Sequence, residues 1–519
     1  MLLQRIGNRG IRLGTLLDRA AARHPHNTVV LDHELSVAPQ LGRRVSVAEL
    51  ARLVAGLADR LAKAGVRAGD RVVVHKSDGF DITLLALAVS RLAAVPVLLS
   101  PKLDGATVAA LLRRVDRPYL LTDGDKLEHH LPAEVFSLSA AVLLASGTHP
   151  GAVALAELDG APAVPPAGAE PGRPALVTHT SGTTGVPKLA VHTGWALQAR
   201  YRPQAGVAAL VRRRRPVAIH VSFVHSRLFT ALAITLLRGF PLIVLADDEP
   251  EAVAELFARE RPGVLEAHPN TFMRWEGLAG DPRRPLASVR YFTSTFDAIH
   301  PRTVQRMLGA SGHRFPVFGQ LYGQSEVGPI VARAFTRHRG AGADGRCVGV
   351  PFPGMTGVRV VSRDGRRVTE DSPGFIEVRT DGRVLTYLGE QQRYDGQRTG
   401  DWWRMGDLGY RTRWGCLHLL DREVDEIPGF GSTLAAEDHL FGRLDELAEV
   451  IIVPGVHGAP VPVVCTKHDR PLDPAAWRAA VEGLPPLAEP VQWRLADLPQ
   501  TATTKIKRLE LAKILAERP

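Results

Sequence analysis

The strongest constraint on the fold is an alternation of helical and extended segments between residues 46 and 121. Leu50, Leu53, Val54, Leu57 and Leu61 recur at helical spacing behind Ser46, a residue suited to an N-cap, so 46–66 is expected as an amphipathic helix. Arg71-Val72-Val73-Val74, set between a Gly-Asp turn and polar residues, reads as a strand. A helix over 80–94, a strand over 95–99, a helix near 105–115 and a strand at 119–121 follow. Such alternation predicts a parallel sheet flanked by helices. The rhythm returns at 217–246, with strands at 217–222 and 242–245 around a helix at 228–238.

After about residue 345 the period changes to short alternating strands at 358–361, 375–379 and 417–420, separated by turns at Asp364-Gly365 and Asp381-Gly382. This predicts a β-rich subdomain. The last hundred residues mix strands (450–453, 461–465) with helices (474–484, 508–515) and suit a small α+β domain. Residues 145–174, rich in Ala, Pro and Gly, are expected as a surface connection, and no internal repeat is present.

A chain of 519 residues is too long for one core, so two to four packed units are expected. Hydrophobic residues at 45% and charged residues at 23% are ordinary for a soluble globular protein. The net charge of +10 comes from 64 basic and 54 acidic residues spread along the chain. The run Arg212-Arg213-Arg214-Arg215, without interleaved aromatics, reads as a solvated loop and not a nucleic-acid patch. Cys347, Cys416 and Cys465 are far apart and odd in number, which fits a reducing compartment and no zinc or disulfide framework. The start carries Arg5, Arg9 and Arg12 but no apolar run, unlike a signal peptide. The longest apolar stretch, 82–99, is broken by Arg91 and Pro96, so no membrane span is expected and a cytoplasmic location follows.

The segment Thr178-His179-Thr180-Ser181-Gly182-Thr183-Thr184-Gly185-Val186-Pro187-Lys188 has the chemistry of a phosphate grip. Glycines let backbone amides approach phosphate oxygens, hydroxyls donate hydrogen bonds, and Lys188 adds charge. It is not a Walker loop, because Val186-Pro187 separates Gly185 from the lysine. Gly340-Ala341-Gly342-Ala343-Asp344-Gly345 fits a dinucleotide fingerprint in letters only, since no strand precedes it and no helix follows.

Residues 180–188 resemble the Thr-Ser-Gly-Thr-Thr-Gly-x-Pro-Lys motif of the superfamily of acyl-CoA synthetases, peptide-synthetase adenylation domains and luciferases. Further resemblances follow in the family's order, from about residue 45 to 512. Tyr322-Gly323-Gln324-Ser325-Glu326 is similar to the Tyr-Gly-x-Thr-Glu segment. This implies Tyr322 on adenine, Ser325 at the α-phosphate and Glu326 on Mg²⁺. Trp402 to Tyr410 resembles the segment whose aspartate, here Asp407, holds the ribose hydroxyls, and Arg422 matches the arginine that opens the mobile lid. Residues 499–508 look like the C-terminal Pro-x-Thr-x-x-Gly-Lys-Ile-x-Arg, so Lys505 would bridge the attacking carboxylate and the α-phosphate; the family's Gly is Thr504. Val224 and His225 stand where the family lines its acyl pocket. Ser294 and Thr295 stand at the adenine-side strand, where Thr295-Phe296 replaces a Gly pair and implies a narrower or reshaped pocket.

The resemblance implies an α/β fold: doubly wound α/β subdomains and a β-rich subdomain over 1–420, then a small α+β lid over 421–519. It further implies ATP-dependent activation of a small carboxylic acid as an acyl-adenylate, with ATP and Mg²⁺ as cofactors and Lys505, Glu326 and Ser325 as catalytic residues. The nucleotide would be bound by Thr180, Ser181, Gly182, Thr183, Thr184, Gly185, Lys188, Tyr322, Gly323, Asp407 and Arg422. Coenzyme A is the expected acceptor; an acyl carrier protein, an amine and a nucleotide-binding module with an inactive lid are the alternatives. The lid departs from the family pattern at Val424 and at Ile427-Pro428-Gly429-Phe430-Gly431, which loses a lysine, so activation is better supported than thioester formation.

Overall fold

The computed structural model describes residues 10–180, 186–209, 211, 213–295, 299–337, 344–455, 458–500 and 506–517. The expected helix at 46–66 forms over Val47–Lys63, started by a reciprocal cap. Ser46 Oγ accepts from the Glu49 amide at 3.2 Å, and the Glu49 carboxylate accepts from the Ser46 amide at 2.8 Å. Its apolar face packs on the helix Asp81–Arg91, every residue of which is buried. That burial explains why this second helix has no polar face in the sequence. Asp81 accepts from the Val37 amide at 3.0 Å, and Arg91 Nη1 pairs with Asp18.

Among the described residues the strands form three sheets of eight, fourteen and three strands. In the first, Pro174–His179, Val95–Leu98, Arg71–Val74, Tyr119–Thr122, Ala141–Leu144 and Val153–Ala154 run parallel. Leu189–Thr193 and then Thr386–Tyr387 extend it antiparallel at one edge. In the second sheet Thr28–Leu31, Leu242–Val244, Val217–His220, Val264–Ala267, Tyr291–Ser294 and Val317–Gln324 are parallel. It then continues through antiparallel strands from Gly328–Phe335 out to Thr356–Val361. The β-rich segment is therefore an extension of the α/β sheet and not a detached unit. The third sheet, Leu447–Val453, Val461–Thr466 and Val491–Gln492, carries the helices Thr433–Arg443 and Arg508–Ala516 and its own apolar clusters. The chain has the mixed α/β architecture its pattern implies.

Two local expectations change. The helix expected at 474–484 stops at Ala480, short of Gly483 at φ +84° and the Pro485-Pro486 pair. Within 145–174, Val153–Ala154 joins the first sheet and Leu155 is buried, so part of this connection is core. Arg213, Arg214 and Arg215 are exposed, and the three cysteines are free. No helix among the described residues is long and apolar enough to cross a membrane.

Candidate active site

The phosphate-type segment is the connection of a β-hairpin. Pro174–His179 and Leu189–Thr193 pair antiparallel, with His179 opposite Leu189, and the Thr180 amide donates to the Lys188 carbonyl at 2.9 Å to close the neck. Ser181, Gly182, Thr183, Thr184 and Gly185 lie outside the described residues, as does Lys505. Thr180 and Lys188 face a cavity of about 760 Å³ that also takes in His225, Tyr322, Gly323, Ser325, Glu326, Asp407 and Arg422. Glu437, Ile506 and Arg508 wall it from the C-terminal part of the chain. The Thr180 hydroxyl is buried there with no hydrogen-bond partner among the described residues.

Glu326 sits in the turn between Val317–Gln324 and Gly328–Phe335. Gly323 makes that turn possible, because a Cβ at this position would stand 1.9 Å from the Gly328 carbonyl oxygen. Lys188 Nζ donates to Glu326 Oε1 at 3.1 Å and to the Tyr387 hydroxyl at 3.0 Å, and Tyr387 donates to the same Oε1 at 2.6 Å. Burial pushes the Glu326 carboxyl upward, but the Lys188 ammonium and the hydrogen bonds from Tyr387 and Lys188 outweigh it and hold it below the usual glutamate value. Glu326 is thus an ionised carboxylate with hard oxygen donors. No three metal-ligating side chains converge among the described residues. A single carboxylate fits Mg²⁺ that arrives already carrying phosphate oxygens and water.

At the other end of the cavity the Tyr322 hydroxyl donates to Asp407 Oδ2 at 2.5 Å, and Arg422 Nε stands 4.0 Å from Oδ1. Asp407 and Arg422 are direct register partners on the strands Trp402–Arg411 and Leu417–Arg422. Two acceptor oxygens and a guanidinium beside an aromatic ring form a polar end suited to a diol and a base.

The Ser325 hydroxyl lies 3.4 Å from His225 Nε2, and His225 Nδ1 accepts from the Arg227 amide at 3.1 Å. That acceptor role assigns the ring proton to Nε2. Burial first, then Arg200 and further cationic neighbours, hold His225 well below the usual histidine value, so the ring is neutral at pH 7. Arg200 Nη2 donates to the Ser325 carbonyl at 2.9 Å and its Nε to the Gly382 carbonyl at 2.7 Å, tying the turn to the β-rich part.

Of the pocket residues expected from the sequence, His225 and Thr295 line the cavity. Val224 instead packs in the apolar core with Phe223 and Leu228, and Ser294 is fully buried at the end of its strand. Ser294 and Thr295 follow strand alternation, whereas Val224 sits in the turn ahead of the helix Ser226–Leu236, which sends it with Phe223 into the core. Tyr387 and Arg200 are functional neighbours that sequence reading missed. Tyr387 reaches Lys188 only through the pairing of Thr386 with Val191 and of itself with Ala190. No local pattern signals a contact across 199 residues.

Thr180 and Lys188 at the neck of a hairpin, the ionised Glu326 and the Asp407 carboxylate thus line one cleft. The AMP-binding enzyme family matches residues 17–388, and the chain belongs to it as an adenylate-forming enzyme. It is 48% identical over 99% of its length, and 97% of the other chain, to a 3-amino-2-hydroxy-4-methoxybenzoate diazotase of Streptomyces cremeus. An anthranilate–CoA ligase of Pseudomonas aeruginosa is 26% identical over 85% of this chain and 84% of its own. The solved structure of an anthranilate CoA ligase in complex with anthranoyl-AMP superposes with a TM-score of 0.81 at 17% identity, covering 99% of both chains.

Proposed function

We propose that the chain is an ATP-dependent diazotase for an aromatic amine that also carries a carboxylate and a phenol. The observation that carries this reading is the 48% identity to a diazotase across essentially the whole chain, lid included, against 26% for a CoA ligase. The departures at Val424 and Pro428, where the lid loses residues expected for a thioester half-reaction, agree with an acceptor other than a thiol.

Diazotisation needs a nitrogen(III) electrophile, and nitrite supplies it as a small oxyanion in the place of a carboxylate. One nitrite oxygen attacks the α-phosphorus of ATP; the O–P bond forms and pyrophosphate leaves. The arylamine nitrogen then attacks the nitroso nitrogen, and the N–O bond to the phosphate breaks, releasing AMP. The amine loses one proton, the second moves to the remaining oxygen, and protonation expels that oxygen as water to leave the diazonium ion. In this scheme the 180–188 hairpin and Lys188 hold the β- and γ-phosphates. Asp407 and Arg422 hold the ribose, and Tyr322 the adenine. His225 and Ser325 present donors beside the α-phosphate, and Lys505 balances charge as the oxyanion attacks. Mg²⁺ on Glu326 would neutralise phosphate charge. Residues 421–519 would act as the lid that excludes water.

The second reading keeps the same first step with an aromatic carboxylate and passes the acyl group to coenzyme A or a carrier protein. The likeness to the anthranilate CoA ligase structure favours it. ATP–pyrophosphate exchange separates the two. Exchange that requires nitrite and no aromatic acid supports diazotisation; exchange that requires an aromatic acid and is indifferent to nitrite overturns it.

A further inference from the structure

The wall of the cavity beyond His225 carries a charge that no step above uses. Arg227, in the first turn of the helix Ser226–Leu236, is 9% exposed and lines the cavity. Its Nε and Nη2 donate to the two carboxylate oxygens of buried Glu266 at 2.5 and 2.6 Å, and Nη1 donates to Thr230 Oγ1 at 3.2 Å. Three of the five guanidinium N–H groups are thereby used. One on Nη1 and one on Nη2 have no acceptor among the described residues, although both belong to a side chain on the cavity wall.

A buried ion pair is weak evidence of stability, because desolvation consumes most of the attraction. Placed in a substrate pocket with part of its fork unused, it has a recognition rationale. Glu266 fixes the plane of the guanidinium, and two N–H groups of a planar fork match the oxygens of a carboxylate. Further along the wall the Thr295 hydroxyl is buried and has no hydrogen-bond partner among the described residues. An apolar acyl chain would leave all of these donors unsatisfied; an aromatic acid with a phenol would use them.

We propose that Arg227, oriented by Glu266, is the specificity-determining anchor for the unreactive carboxylate of the aromatic amine. This rests on the diazotase reading, in which the carboxylate does not attack ATP and must be held elsewhere. Arg227 donates its backbone amide to His225, whose other nitrogen faces Ser325, so the anchor and the reaction centre are joined through one imidazole. A ring with its carboxylate on Arg227 would present its amine on the His225 side, towards the activated nitrite.

The test compares kcat/KM for 3-amino-2-hydroxybenzoate and 2-aminophenol, which differ only in the carboxylate. In the wild-type enzyme the carboxylate is expected to improve kcat/KM by roughly 100-fold. In Arg227→Met that preference falls to within about threefold, chiefly through KM for the acid, and Arg227→Lys retains an intermediate preference. Because Arg227→Met strands the Glu266 carboxylate, the paired variant Arg227→Met, Glu266→Leu is measured beside it and should show the same loss. A wild-type enzyme indifferent to the carboxylate, or a folded Arg227 variant with the full preference, overturns the proposal. Nitrite-dependent pyrophosphate exchange in the wild-type enzyme reports separately on the reading beneath it. Exchange with an unchanged Arg227→Met preference sinks the anchor alone, and no nitrite-dependent exchange sinks both.

Discussion

Lys188 and Glu326 form a largely buried ion pair, Nζ to Oε1 at 3.1 Å, with the Tyr387 hydroxyl donating to that same oxygen at 2.6 Å. The pair closes one side of the cleft, with both charges facing the cavity. Lys188→Met leaves the carboxylate with Tyr387 alone among these partners and should lower stability by roughly 2–4 kcal/mol. Urea unfolding should show at least half of that loss recovered when Glu326→Gln is added. Losses that simply add would mean the two residues do not interact energetically.

The Gly323 backbone is set by close approach. Gly323→Ala places a methyl against the Gly328 carbonyl, which must move, and should destabilise by about 3 kcal/mol while abolishing ATP turnover through the displaced Ser325 and Glu326. Gly319→Ala is the control four residues earlier, where the nearest atom to the new Cβ is 3.7 Å away. Equal tolerance of both substitutions, by thermal melting, would contradict the geometry.

Buried histidines make stability fall on mild acidification. Burial first, then Lys126, pulls His75 down to about 4 from 6.5. A folded-state value below the unfolded one means the unfolded chain takes up the proton first. The stabilisation is therefore complete above pH 6.5 and lost as pH falls towards 4. His75 alone accounts for up to about 3 kcal/mol over that window. Asp421, raised to about 6 chiefly by burial, works in the opposite direction. The His75 part is isolated by difference: urea midpoints of the wild-type protein and His75→Gln should converge between pH 6.5 and 4. Parallel curves would refute it.

Tyr322 and Asp407 meet hydroxyl to carboxylate. Asp407→Ala should raise KM for ATP by about 10- to 100-fold, and Tyr322→Phe, which keeps the ring, by much less. Equal effects in steady-state kinetics would show that the hydroxyl, not the ring face or the ribose contact, dominates.

Much of this was legible in the chain itself. The Ser46 cap, the repeated helix–strand rhythm and the period change after 345 each rest on local residues, and local physics decides them. Segments 180–188, 322–326 and 402–410 resemble a known family's motifs in that family's order, and this resemblance implied one cleft. The illegible part is the part made by topology. Tyr387 joins Lys188 through a two-residue edge strand, Arg200 reaches Ser325 from a helix 125 positions away, and Arg227 on a helix meets Glu266 on a strand 39 residues on. Val224 shows the opposite failure, since a neighbour of a cavity residue faces the core.

In the proposed diazotisation a nitrite oxygen attacks the α-phosphorus and leaves with AMP. Turnover with ¹⁸O-labelled nitrite, ATP and 3-amino-2-hydroxybenzoate, followed by mass spectrometry of AMP, tests it most directly. One ¹⁸O atom is expected in each AMP formed, with the other oxygen appearing in water. Unlabelled AMP from labelled nitrite, or AMP labelled instead from an ¹⁸O-carboxylate, would contradict it.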